Sequence, residues 1–122
     1  MPKVKPEVSD WFDYPDDPYK GRVQVRLVPD GESTLIKNRN RVMIFAQDKP
    51  AIGMGEAEIE IIIASVKNWE NFFGLEDESL KCTPANVKRM CESVDGFIDF
   101  INECLIDLEA RAKAKSEAEV KN

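Results

Sequence analysis

Between Arg22 and Leu27 the chain alternates, with Val23, Val25 and Leu27 on one parity and Arg22, Gln24 and Arg26 on the other. A period of two predicts a half-buried strand. Upstream, the dense aromatics of Trp11-Phe12-Asp13-Tyr14 are separated from it by Pro15-Asp16-Asp17-Pro18 and Lys20-Gly21, residues suited to turns. Two antiparallel strands joined by a turn are expected, with Trp11 and Phe12 plugging one side of a small sheet. An aromatic ligand-binding face is the alternative reading of the same residues. Residues 1–10 show no apolar period and two prolines, which predicts an extended, frayed arm.

The period then changes. Pro29-Asp30-Gly31-Glu32 to Ile36 reads as a turn entering a short helix, Val42–Phe45 is too short to type, and Gln47–Gly55 gathers a proline and two glycines as a connection. From there Ile59, Ile62, Ile63, Val66, Trp69 and Phe73 recur at the spacing of one helical face, predicting a helix over 56–73 with a buried Trp69 indole and Gly74 as its C-terminal cap. Glu58 and Glu60, set between Ala57, Ile59 and Ile61, suggest a strand instead. The helix accounts for more residues and places acids 56, 58 and 60 where the helix dipole favours them, although β-branched Ile61–Ile63 lose side-chain freedom there.

Thr83-Pro84 is the sharpest local signal, an N-cap followed by proline at the first helical position. It predicts a helix over 84–94 with a stripe of Val87, Met90, Cys91 and Val94, broken at Asp95-Gly96. A last helix over 97–112 carries Phe97, Ile98, Ile101, Cys104, Leu105 and Leu108, with Phe100 and Ile106 apolar on other sides. The Ala-, Lys- and Glu-rich residues after Leu108 should continue it. The expected fold class is α+β and mostly helical: an N-terminal lobe with a small antiparallel β-sheet (11–49), then a three-helix C-terminal lobe (56–108). These form one small domain, flanked by the arm 1–10 and a polar helical tail 109–122.

At 122 residues, 43% hydrophobic and 33% charged, the chain has the balance of a single globular domain. The longest apolar run, Ile61–Ala64, is far too short to span a bilayer, and Met1–Pro6 lacks the apolar region of a signal peptide, so a cytoplasmic protein without membrane contact is expected. Net charge is −6, split unevenly: residues 1–50 carry nine Lys/Arg against eight Asp/Glu, and residues 51–122 carry eight against fifteen. The acidic half would repel a phosphate backbone. Lys37, Arg39 and Arg41 have no aromatic beside them to stack a base, so a solvated helix end is favoured over a nucleic-acid contact.

Catalytic and metal chemistry find little support. There is no histidine, and Cys82, Cys91 and Cys104 match no zinc spacing; core thiols are the expectation, with Cys82 in a loop. An enzyme would need Cys82 activated beside a carboxylate or lysine, which the spacing does not support. The adjacent acids Glu76-Asp77-Glu78 lack the alternating ligands and central glycine of a calcium loop and read as a solvated turn. No cofactor and no enzymatic activity are expected. The apolar surplus on the last helix instead suggests a surface for another polypeptide, with Phe97, Phe100, Ile101, Leu105 and Leu108 as partner-binding anchors.

The order Val66-x-x-Trp69, an acidic turn, Leu80, Cys82-Thr83-x-x-Asn86 opening a helix, and a final apolar helix resembles the tail assembly chaperones of long-tailed bacteriophages and prophages. Trp11-Phe12-x-Tyr14-Pro15 followed by Arg22-Val-Gln-Val-Arg26 is similar to the front end of the same proteins. The resemblance covers about residues 11–108; glycines frequent in the family after the Trp and in the acidic turn stand here as Asn71 and Ser79. It implies a non-enzymatic protein of the host cell cytoplasm that binds the tape measure protein, keeps it soluble and helps recruit tail tube subunits. A homo-oligomer in the resting state would cover the same apolar surface. A structural protein of the tail or head-to-tail joint, and a generic small interaction module, are the alternatives.

Overall fold

The computed structural model describes residues 6–47 and 52–120, with side chains described for 6–38 and 57–115. The alternating segment forms β2 (Arg22–Arg26), which pairs antiparallel with β1 (Ser9–Asp13) through the predicted turn. Its other edge pairs antiparallel with β3 (Val66–Glu70), giving a sheet ordered β1-β2-β3. The helices are α1 (Asp30–Gln47), α2 (Ile52–Ser65), α3 (Pro84–Ser93) and α4 (Phe97–Val120). The fold class is therefore α+β with a small antiparallel sheet, as the two periods predict.

The third strand corrects the helix expected over 56–73. That helix ends at Ser65, and the chain passes directly into β3. A register shift between Gln24 and Val25 explains the disagreement: Val25 lies opposite Val66, and Gln24 opposite Asn68, leaving Lys67 as the extra residue of a bulge. A bulge restores a buried side chain after three residues instead of two. Val66 and Trp69 thus both face the helices from a strand while keeping a spacing that reads as helical.

Other expectations move for related reasons. The arm predicted over 1–10 is engaged before its end, because Ser9 and Asp10 belong to β1, the Leu27 amide donates to the Val8 carbonyl at 2.7 Å, and Lys67 pairs with Glu7 at 2.6 Å. Residues 1–5 lie outside the described residues. The short helix after Pro29 runs on through Val42–Phe45 to Gln47, so Lys37 stands in mid-helix rather than at its end. In the connection expected over Gln47–Gly55, residues 48–51 lie outside the described residues, and Gly53 and Gly55 belong to α2.

One face of the sheet carries the core. Val23, Val25, Val66 and Trp69 meet Ile62 of α2, Val87 of α3, and Phe97, Ile101, Cys104 and Leu108 of α4. Strand alternation splits the expected aromatic plug: Phe12, opposite Val23, joins the core, while Trp11, opposite Gln24, lies on the other face with the Arg22 guanidinium 5.1 Å from its ring centroid. Arg26 ties three elements, its Nε donating to the Ala64 carbonyl in the last turn of α2 at 2.7 Å and its Nη2 contacting Glu32 of α1 at 3.0 Å. A helix-end carbonyl that would otherwise lack a partner is thereby satisfied. No helix among the described residues is long and apolar enough to cross a membrane.

Candidate functional site

Burial reassigns three of the five anchors expected on the last helix. Phe97 and Ile101 are 0% exposed and Leu108 is 1% exposed, so these three are core residues with no surface to offer a partner. Phe100 and Leu105 are half-buried against the same core, and Phe100 meets Tyr14 edge-on at 4.9 Å. Of the surplus side chains on α4, Ile106 alone stands well out, at 65% exposed. The surplus is largely absorbed because α4 is gripped on two sides, by the sheet and by the aromatic side chains that follow β1 and β3.

The exposed aromatic surface lies elsewhere, at the end of the sheet where two turns meet. In the β1–β2 turn Asp17 is the organiser: its two carboxylate oxygens accept the Tyr19 and Gly21 amides, each at 2.9 Å. This holds Tyr19 outward, at 68% exposed. In the second turn the Gly74 amide donates to the Glu78 carbonyl at 2.8 Å and the Leu80 amide to the Phe72 carbonyl at 2.9 Å, closing a narrow loop over 73–79. Gly74 is therefore the base of this loop and not the cap of a helix. Leu75 projects from its tip, and Phe73 meets the Tyr19 ring at 5.6 Å.

The turns are fastened to each other and to the core. Asn71 Nδ2 donates to the Lys20 carbonyl at 3.1 Å. Gly21 lies so close to Phe72 that a Cβ there would sit 2.9 Å from the ring and 2.6 Å from the Asp17 carboxylate. Phe72 in turn stacks on Trp69 at 4.7 Å, and the Trp69 indole donates to the Leu80 carbonyl at 2.8 Å. Asp16, Lys20, Asn71 and Asp77 all hold φ between 55° and 61°, a region that Asn and Asp tolerate better than most residues. Asn71 thus supplies the left-handed geometry that the end of β3 requires as the chain turns.

Between the turns and the end of α3 lies an open groove of about 640 Å³, with Tyr14, Phe72, Met90 and Val94 below and Tyr19 and Phe73 along its side. Asp16, Asp17 and Asp77 also line it, and among the described residues no lysine or arginine does. Burial first, and then the Asp17 carboxylate, pushes the Tyr14 phenol above its ordinary value, so it stays neutral. The groove is thus aromatic below and negative at the rim. By sequence the first turn reads as turn chemistry and the second as a solvated turn; the available signal is Tyr19 and Phe73, aromatics set directly against turn residues, where they have no sheet or helix face of their own to cover.

The thiols offer no activated nucleophile. Burial pushes Cys82 and Cys91 up to about 11 and Cys104 up to about 12, the opposite of the depression a reactive cysteine needs. Among the described residues no group of His, Cys, Asp and Glu is arranged to hold a metal ion. Neither a comparison with family models nor searches among curated proteins and solved structures gave a match.

Proposed function

We propose that the protein is a non-enzymatic tail assembly chaperone that binds the tape measure protein of a phage or prophage, keeps it soluble and helps bring tail tube subunits to it. The observation that carries this reading is the open groove with aromatic side chains held outward on an acidic protein. A chaperone of this kind needs apolar surface for a client segment together with enough charge to remain soluble alone. The sequence resemblance over about residues 11–108 supplies the identity of the client.

Co-expression with the tape measure protein of the same genome tests the reading. Soluble tape measure protein that co-purifies with this chain is expected, with the chaperone absent from finished particles. Tape measure protein that stays insoluble in its presence, or this chain found as a stoichiometric component of purified virions, would overturn it.

A further inference from the structure

We infer that the groove between the two turns is the client-binding site, and that its occupant is an amphipathic helix with large apolar residues on one face and lysine or arginine flanking them. This rests on the polypeptide-binding reading above. Three observations select that occupant.

The first is the state of the backbone. An extended peptide that adds to a sheet needs a row of free backbone N–H and C=O groups. Along this groove such groups are turned inward: Tyr14 pairs with Gly21, Lys20 with Asp17, Gly74 with both Asp77 and Glu78, and Leu80 with Phe72. Recognition here must run through side chains, which is how a helix is held in a groove.

The second is size and shape. About 640 Å³ lies well within the range of roughly 300–1,000 Å³ typical of ligand sites, room for more than one large side chain. Tyr19, 68% exposed, and Phe73, 42% exposed, rise beside it, so an apolar face laid across the groove would cover aromatic surface now in water.

The third is charge. The side chains of Asp16 and Asp77 make no hydrogen bond or ion pair among the described residues, and Asp17, whose carboxylate oxygens accept backbone amides, lines the groove beside them. Glu76 stands next to Asp77 on the same loop. An acidic or neutral helix would set its own charges against these or leave them unmatched, whereas flanking lysines meet them. The salt response separates this site from the anchors expected on α4. Binding by α4 alone would change little with salt, while binding at the groove weakens as salt screens the rim.

The test uses the full chain, isotopically labelled for NMR, and a peptide of about 18 residues, long enough to hold a helix in water, with Leu on one face and Lys on the other. A control peptide carries Glu in place of each Lys. The Lys peptide is expected to shift the amides of Tyr19, Asn71, Phe73 and Asp77 and to bind about tenfold more tightly than the Glu peptide, with the gap closing at high salt. Asp16→Asn with Asp77→Asn removes two of the rim's negative charges while keeping residues that tolerate the left-handed backbone, and should reduce the preference for Lys. Tyr19→Ser, at a position too exposed to support the core, should lower affinity for the Lys peptide severalfold with an unchanged thermal midpoint.

Equal affinity for the two peptides, no binding of either, or shifts confined to α4 or the outer sheet face would each overturn the proposal. The tape measure experiment keeps the two readings apart. If the wild-type chain solubilises that protein and the groove variants do so equally well, the groove assignment fails and the chaperone reading stands. If the wild type does not solubilise it, the chaperone reading fails whatever the peptides do.

Discussion

Helix α4 and the two turns at the end of the sheet divide the apolar residues of this chain in opposite ways. By sequence, α4 is the apolar region and the turns are polar, yet Phe97, Ile101 and Leu108 are sealed in the core while Tyr19, Phe73 and Leu75 face water. Density of apolar residues measures how many neighbours an element must satisfy. A helix packed against a sheet and an aromatic cluster can bury a wide face, whereas an aromatic in a turn has no face of its own element to cover. Exposure in a turn is therefore the stronger sign of a surface kept for something else.

The comparison breaks first if the core side behaves like the turn side. Trp69→Ala and Phe97→Ala should each destabilise by about 3–5 kcal/mol, because both remove a large ring from a close-packed cluster. Tyr19→Ala and Leu75→Ser should stay within about 0.5 kcal/mol of wild type. Urea unfolding measures all four. A Phe97→Ala protein as stable as wild type would mean that α4 does not hold the fold and would return its apolar face to the list of binding surfaces.

A smaller effect is expected where the two regions touch. At Gly21 an added Cβ would crowd both the Phe72 ring, which is core, and the Asp17 carboxylate, which shapes the turn. Gly21→Ala should cost about 1–3 kcal/mol by overpacking, and should also disturb Tyr19, whose amide the same carboxylate holds. Loss of stability together with altered Tyr19 amide shifts marks Gly21 as the joint between core and groove. Stability lost with the turn untouched would instead place it with the core alone.

How much of this was legible depended on whether a local rule or a distant contact decided each element. Thr83 and Pro84 start a helix through chemistry within a few residues, and the Thr83 hydroxyl does accept the Asn86 amide, at 3.2 Å. The alternation of Val23 and Val25 needed only a strand with one buried face. Strand β3 was hidden because its bulge is a property of pairing with β2, and a bulged strand imitates helical spacing over Val66 and Trp69. The groove was hidden for a similar reason, since Tyr19 and Phe73 lie far apart in sequence and are brought together by the Asn71 to Lys20 hydrogen bond and by Phe72 packed under Gly21. The burial of α4 could not be read from its own residues, because the ring that meets Phe100 is Tyr14, which follows β1.

Removing the cap of α3 should have an effect of about 1 kcal/mol. Thr83→Ala leaves the Asn86 amide without its acceptor at the helix start. Since α3 supplies Met90 and Val94 to the groove, the prediction sharpens the comparison: a modest fall in the thermal midpoint with groove shifts confined to those two residues keeps the turns independent of α3. Broad shifts through Tyr19 and Phe73 would show the groove and the helix to be one unit.

The smallest expected effect concerns a carboxylate on the core side that, unlike those of the groove, has a cationic partner. Asp10 of β1 contacts Arg111 of α4 at 2.6 Å, and Arg111 also holds Asp107 at 2.8 Å while its guanidinium lies 5.6 Å from the Phe12 ring centroid. The hydrogen bond from Arg111, and then the Trp11 amide, hold the Asp10 carboxyl below its ordinary value of 3.8. A carboxyl depressed on folding contributes stability that is present above its unfolded value and is lost as the pH falls through the folded one. Asp10→Asn should therefore be slightly less stable than wild type at neutral pH, and the two should converge as the pH drops through and below 3.8. Both groups are open to solvent, so added salt should shrink the difference as well. Asp16→Asn and Asp77→Asn, which break no ion pair among the described residues, should lose no stability at neutral pH. Thermal midpoints across the acid range distinguish the two sets, and a destabilised Asp16→Asn would show that the groove carboxylate is held by the fold and is not kept free for a partner.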